Sequence, residues 1–165
     1  MTRNSERVKV ELELVIGECL QRALGLKDTL IEERDALKRQ DSAAILDAAS
    51  RKKSYIEDLE RLDAERAALT EAGGFGRSPG DMQTVARKFD SAGGDTALLN
   101  RWNRFMDIAQ QCFDLNSANG AIIRVRKMQI TNSLATIRGA TSDDHTYGPA
   151  GSEPTAERAR SLAQA

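Results

Sequence analysis

Hydrophobic residues recur at alternating spacings of three and four along the first quarter of the chain. Between about residues 5 and 39 they form one helical stripe, in which Glu33 fills the remaining position. The stripe consists of Leu12, Ile16, Cys19, Ala23, Leu26, Leu30 and Leu37. Because this spacing is the a/d repeat of a coiled coil, it predicts a first long helix that buries one face.

A second stripe with the same repeat covers about residues 42–72. Its members are Ile45, Ala48, Lys52, Tyr55, Leu59, Leu62, Arg66 and Leu69. Asp41 and Ser42 interrupt the pattern between the two stripes, and either side chain can cap a new helix by accepting a backbone N–H bond. Two helices joined by so short a break predict an antiparallel αα-hairpin.

Charged residues inside both stripes leave two interpretations open. Glu33 and Lys52 fall at matching heights of the predicted hairpin, so they are close enough in register to pair. Alternatively, their aliphatic stems pack in the seam while their charged groups reach water. We favour this second interpretation, because long charged side chains commonly behave so. In either case the hydrophobic residues of the hairpin do not fill its whole seam.

Glycines end the second helix. Residues 73–80 contain four glycines and a proline, a composition that breaks helices. No strand precedes this segment and no Gly-Lys-Ser/Thr follows it, so it predicts a connector and not a phosphate-binding loop. A short helix is expected over about residues 81–90, with Met82, Val85 and Phe89 inward, before a second break at residues 91–94.

A third long helix is predicted over about residues 95–138, with Thr96 or Asp95 as its cap. Its first half is the most apolar part of the chain. Three of the seven aromatic residues lie there, namely Trp102, Phe105 and Phe113. Because aromatic side chains contribute much to core packing, we expect this half to anchor the helix on the hairpin.

The middle of the third helix changes character. Asn116 and Asn119 occupy positions where the repeat requires apolar residues, and Gly120 lowers helix stability by roughly 1 kcal/mol relative to Ala. Apolar residues then resume, interleaved with basic ones. They are Ile122, Ile123, Val125, Met128, Ile130, Leu134 and Ile137. Asparagines in a seam usually fix register or partner, and glycine allows close approach or a bend.

The third helix is predicted to be longer than the hairpin. Its roughly 44 residues span about 66 Å, against about 46 Å for a second helix of roughly 31 residues. The apolar stripe over residues 122–137 therefore has two interpretations. It either lacks an internal partner and forms a binding surface or a dimer interface, or it packs on the first helix. The pattern alone does not separate them.

The last segment, residues 140–165, is rich in Thr, Ser, Asp and Gly and holds two of the three prolines. We expect a disordered tail with a weak helix over residues 155–162. The predicted domain is therefore residues 1–139, followed by a flexible tail. The predicted fold class is all-α, an elongated antiparallel helical hairpin plus a long third helix in a coiled-coil-like bundle.

Composition and charge narrow the function. Aromatic residues make up 4% of the chain, too few for a large β or α/β enzyme core, and Lys+Arg 24 against Asp+Glu 25 leaves no basic footprint for nucleic acid. No stretch approaches the roughly 20 apolar residues of a membrane span, and the N-terminal residues lack the apolar run that is typical of a signal peptide. Cys19 and Cys112 are expected to be buried free thiols. These features predict a cytoplasmic protein.

Residues that could carry chemistry are scarce. The single histidine, His145, lies in the predicted tail beside Asp143 and Asp144, where no rigid partner is expected to hold it. Neither cysteine has an adjacent base or metal-ligand spacing. We therefore expect no enzyme activity, no metal and no cofactor.

The order of features resembles the FlgN family of flagellar export chaperones. The shared features are Asp41 after a Leu-rich first helix, then Lys53, Leu59, Leu62 and Arg66 on the second, Trp102 after a glycine-rich break, the block Leu115-x-x-x-Asn119-Gly120-x-Ile122-Ile123, and Tyr147-Gly148-x-x-Gly151. The last two motifs are the most specific part of the similarity, which covers about residues 5–151.

The resemblance implies a cytosolic chaperone of type III export that holds unassembled hook-associated (hook–filament junction) proteins. Cargo would bind Asn116, Asn119 and Gly120 together with the apolar residues Ile122, Ile123, Val125, Met128, Ile130, Leu134 and Ile137. Tyr147, with Gly148 and Gly151, would dock on the cytosolic domain of the export-gate membrane protein. The export ATPase is a further partner that the resemblance allows.

A structural coiled-coil homodimer or adaptor is the alternative function. In it, the stripe over residues 122–137 would form a permanent interface between two copies of the chain. Sedimentation at low micromolar concentration separates this alternative from a chaperone.

Overall fold

The computed structural model describes residues 3–93 and 96–143, and within these ranges it contains helices and turns but no strand. The predicted all-α class is therefore confirmed. The helices are α1 (Arg3–Arg39), α2 (Ser42–Ala72), α3 (Met82–Gly93) and α4 (Ala97–Asp143), and a 3₁₀ turn at Pro79–Asp81 leads into α3. The described residues divide into two compact units, one up to residue 124 and the other from residue 125 onward.

The buried face of α1 is the stripe that the repeat predicts. All its apolar members are less than a tenth exposed, and Glu33 is buried with them. Leu12 and Ile16 are fully buried against α3 and the start of α4, whereas Leu26 and Leu30 pack on the middle of α4. Helix α1 therefore packs against both α3 and α4 within the first unit.

A tight turn folds α2 back along α1. Gln40 adopts a left-handed conformation with φ 59°, and the Asp41 carboxylate caps α2 by accepting a hydrogen bond from the amide of Ala44 at 3.0 Å. Ion pairs between the helices join Glu33 to Lys52 and Arg22 to Asp58. Because residue numbers fall on α2 as they rise on α1, the pairing is antiparallel, as the pattern predicts.

Helix α4 runs parallel to α1 over its first half. The Arg101 guanidinium donates to the carbonyl of Glu13 at 2.9 Å, the Cys112 thiol donates to that of Ala23 at 3.4 Å, and Asn119 donates to that of Leu30 at 2.8 Å. Each contact joins residues 88 or 89 positions apart. This constant offset fixes a single register between the two helices.

The glycine-rich connector closes one end of the first unit. Gly74 has φ +80°, a left-handed conformation that suits glycine, and the chain turns there after α2. Phe75 then packs edge-on against Phe89, with ring centroids 5.6 Å apart. Met82, Val85 and Phe89 are all buried, which confirms the predicted inward face of the short helix.

The first turn of α4 has a capping side chain that the sequence prediction did not include. The buried carboxylate of Asp90, on α3, accepts hydrogen bonds from the amides of Leu98 at 3.3 Å and Leu99 at 2.9 Å. Thr96 instead accepts from the side chain of Asn100, and Asp95 lies outside the described residues. A carboxylate from another helix therefore satisfies the first turn, because the fold brings α3 beside it.

The aromatic anchor of α4 is smaller than predicted. Trp102 is 3% exposed and lies 5.4 Å from the half-buried ring of Phe105, but Phe113 is 67% exposed. The inward position at this height belongs to Cys112, and the next residue is turned about 100° around the helix. The expectation that Phe113 anchors the bundle was therefore wrong.

Helix α4 also continues past its expected end near residue 138, to Asp143. One glycine at position 139 costs roughly 1 kcal/mol, which does not terminate a helix by itself. Residues 140–143, which were predicted to begin the disordered tail, are therefore helical. The rest of that predicted tail, including the weak helix over residues 155–162, lies outside the described residues.

Candidate functional site

A buried polar cluster marks the point where the packed half of α4 ends. Asn119 is 1% exposed, and its amide nitrogen donates to the carbonyl of Leu30 and to Glu33 Oε2, both at 2.8 Å. Its amide oxygen accepts from Arg34 Nε at 3.4 Å. The Asn119 side chain therefore has partners at both of its polar atoms, which removes the penalty of burying an amide.

Glu33 is paired, contrary to the interpretation that we favoured. Its Oε1 accepts from Lys52 Nζ at 2.7 Å, and its Oε2 accepts from Asn119. Glu33 is 3% exposed, so its carboxylate cannot reach water and needs these two donors instead. Packing of the stems with charged groups in water was therefore the wrong interpretation for this residue.

The two residues beside Asn119 are differently placed. Asn116 is exposed and makes only a 3.5 Å contact with Lys52 Nζ. A Cβ at Gly120 would meet a nitrogen of the Arg124 guanidinium at 3.5 Å, which is an ordinary contact. Close helix approach within the described structure therefore does not explain glycine at position 120.

Large apolar side chains on α4 become exposed after Asn119. Ile122 is half-buried, and no described side chain over residues 120–139 is fully buried. Six large apolar residues in this segment are 46–62% exposed, namely Ile123, Val125, Met128, Ile130, Leu134 and Ile137. Large exposed apolar surface is unusual in a monomer and marks binding sites.

Four of these residues share one helical face. Ile123, Ile130, Leu134 and Ile137 follow one another at spacings of seven, four and three, which places them within a narrow stripe. This set is termed the α4 stripe. Val125 and Met128 lie on other sides of the helix, as their spacing requires.

The charge around the α4 stripe is uniformly positive. No acidic residue occurs between Asp114 and Asp143, whereas the same segment contains Arg124, Arg126, Lys127 and Arg138. An apolar face bordered by basic residues fits a helical partner whose own flanks are acidic or neutral.

The sequence model of the FlgN protein family matches residues 11–155. The chain belongs to the FlgN family. This is a family of flagellar export chaperones, so the resemblance seen in the motifs is confirmed, and with it the assignment to flagellar biogenesis and protein export. FlgN proteins form a chaperone family, not an enzyme family. No curated protein and no solved structure matches the chain.

The described part of this FlgN chain offers no cluster of three or more metal-ligating side chains. Nor does any helix within it combine the length and apolar character needed to cross a membrane. Tyr147, Gly148 and Gly151, which the family resemblance marks for gate docking, and His145 all lie outside the described residues.

Arg66 has a buried role that sequence reasoning did not assign. It is 1% exposed, its Nε donates to Asp63 at 2.8 Å, and its Nη2 donates to the carbonyl of Arg77 at 2.9 Å. The guanidinium also lies 5.9 Å from the centroid of the Trp102 ring. Arg66 thus ties the glycine-rich connector to α2 and α4. The sequence signal for this role was an arginine at a seam position with an acidic residue, Asp63, three positions earlier.

Both cysteines of the FlgN chain are free thiols in the core. Burial raises the pKa of Cys19 to about 11, and the negative charge of Asp63 acts in the same direction. Burial likewise raises the pKa of Cys112. Thiols held in the neutral form are poor nucleophiles, so both residues serve packing.

Proposed function

We propose that this FlgN-family chain is a cytoplasmic export chaperone that holds unassembled hook–filament junction proteins and delivers them to the export gate. Family membership supports a chaperone of flagellar export. The observation that carries the finer proposal is the α4 stripe, whose four side chains are 46–62% exposed.

Cargo binding at this stripe has a simple physical basis. A helical terminal segment of the cargo would lay its apolar side along Ile123, Ile130 and Leu134, so that both apolar surfaces leave water. Full burial of one such side chain contributes about 1.5–3 kcal/mol. Cargo surface that is later used in assembly would thereby be protected from premature association.

The direct test replaces Ile123, Ile130 and Leu134 by Asp in one variant. Three charges on the stripe should weaken binding of the junction protein at least about 100-fold in calorimetric titration, since burying unpaired carboxylates is costly. Helicity by circular dichroism should stay near that of the natural protein, because these side chains are exposed at the outset.

A matched control places Asp at Leu14 and Leu46, which are 65% and 72% exposed on α1 and α2. This variant should bind cargo as the natural chain does. Unchanged affinity in the stripe variant, or an equal loss in the control, would contradict the proposal.

Delivery is proposed to use Tyr147. A tyrosine followed by glycine can present one large amphipathic anchor to a pocket on the cytosolic domain of the gate protein. In the same experiment, Tyr147→Ala should leave cargo affinity unchanged and reduce recovery of the gate domain in a pull-down. Full recovery with Tyr147→Ala would remove this residue from the proposal.

A further inference from the structure

An apolar groove lies between α2 and α4 in the first unit, with α1 as its floor. Its volume is about 430 Å³. The apolar lining includes Leu26 from α1, Ile56 and Leu59 from α2, and Phe105, Ala109 and Cys112 from α4. Ile56 is 42% exposed at the rim, so the groove leaves a large side chain only partly covered.

The groove continues toward the turn of the hairpin. A neighbouring cavity of about 160 Å³ shares Leu26, Ile56 and Cys112 with it and ends at Lys52 and Asn116. Along α2, the eleven-residue step from Asp63 to Lys52 corresponds to about 16 Å, or three helical turns. Together the two cavities form the α2–α4 groove, which is long enough for an apolar ridge of another helix.

The larger cavity is also negatively charged. Glu60 and Asp63 line it, and no lysine or arginine does. Asp63 is paired with Arg66, but Glu60 has no ion pair within the part of the chain that the structure describes. The groove therefore favours an occupant that is apolar on one side and basic beside it.

The second half of α4 has that chemistry. It presents the apolar α4 stripe, and Arg124 and Lys127 are exposed basic residues close to it in a segment without acids. The geometry points to a second copy of this chain as the occupant: the α4 stripe of one copy lies in the α2–α4 groove of its partner, with basic residues facing Glu60. The same contact repeated in reverse would close a two-fold dimer.

Self-association of this kind hides the stripe in the free protein. That the hidden stripe is the cargo-binding surface rests on the proposed function, whereas the self-association itself does not. Cargo would then bind by displacing the partner copy, so that exposed apolar surface is covered at every stage.

The test is sedimentation equilibrium of the full chain, without cargo, for the natural protein and two single variants. Ile56→Asp places a charge in the apolar groove and should raise the dimer dissociation constant about tenfold or more. Leu46→Asp, on the same helix but outside the groove, is the matched control and should change it less than about twofold. A chain that stays monomeric at roughly 100 μM, or equal effects of both variants, overturns the inference.

Charge and proximity give two further readouts. Glu60→Lys should weaken the dimer, and combining it with Lys127→Glu should recover part of the lost dimer affinity. Glu57→Lys should have little effect on that affinity.

In a mixture of differently tagged Ile56→Cys and Leu134→Cys chains, a short bismaleimide should link one variant to the other. Cross-links that form only between two Ile56→Cys chains, with none between Ile56→Cys and Leu134→Cys chains, overturn the inference.

The two proposals fail separately. If Ile56→Asp lowers cargo affinity but leaves sedimentation unchanged, the groove belongs to cargo and the self-association is wrong while the chaperone function stands. If the dimer forms as described but cargo never displaces it, the self-association stands and cargo binding at the α4 stripe is contradicted.

Discussion

Asn119 and Asn116 are two asparagines in one seam with different physical roles. Replacing Asn119 by Ala removes both donors of its amide and leaves the carbonyl of Leu30 and Glu33 Oε2 each short of a partner. We expect a loss of about 1–3 kcal/mol in the free energy of unfolding, measured by urea denaturation. Asn116→Ala removes only an exposed 3.5 Å contact and should stay within about 0.5 kcal/mol. Equal losses would contradict the structure.

The thiol of Cys19 makes stability depend on alkaline pH. Burial raises its pKa from 9.0 to about 11, so the native state keeps a proton that the unfolded chain loses. The stabilising contribution is fully present below pH 9 and is lost as pH rises toward 11.

The measurement compares urea denaturation of the natural chain and Cys19→Ala at pH 8 and pH 10.5. Because the alanine variant lacks the group, the difference in unfolding free energy between the two proteins should shrink by about 2 kcal/mol at the higher pH. A difference that does not change with pH would show that Cys19 is not the source.

At the scale of elements, Gly25 on α1 leaves room for the ring of Tyr55 on α2. A Cβ there would lie 2.6 Å from the hydroxyl end of the Tyr55 ring, whereas a Cβ at Gly17 would meet nothing nearer than 3.9 Å. Gly25→Ala should therefore destabilise the protein by about 1 kcal/mol or more, since the ring must leave its place. Gly17→Ala should stabilise it by about 0.5–1 kcal/mol, the usual gain within a helix. Thermal unfolding that ranks the two variants the other way would refute this packing.

The helices were predictable because their signals are local. A spacing of three and four residues dictates which side of α1 is buried, and Asp41 is adjacent to the helix that it caps. The Asp90 cap was not predictable in the same way, because the carboxylate and the amides of α4 meet only after α3 has folded against α4. The pairing of Glu33 was not predictable either. It depends on a donor from α4, Asn119, whose burial is not evident from the spacing of residues.

At the scale of the whole molecule, two features of the sequence indicated the candidate site. Residues suited to catalysis or metal binding are scarce, and one apolar stripe lies on the third long helix. The sequence predicted an apolar stripe over residues 122–137, and its large residues after Ile122 are indeed exposed in the structure. It did not predict the α2–α4 groove, because a groove depends on the spacing of two helices over a third. Nor did spacing alone distinguish a seam asparagine that is buried from one that faces water.

The central claim is that cargo covers the second half of α4. Hydrogen–deuterium exchange of the full chain at a concentration where it is monomeric, with and without a junction protein, tests it most directly and needs no substitution. The account predicts that binding slows exchange over residues 123–137 while the amides of α1, already held in the core, change little. Slower exchange confined to α1 and α2, with residues 123–137 unchanged, would contradict it.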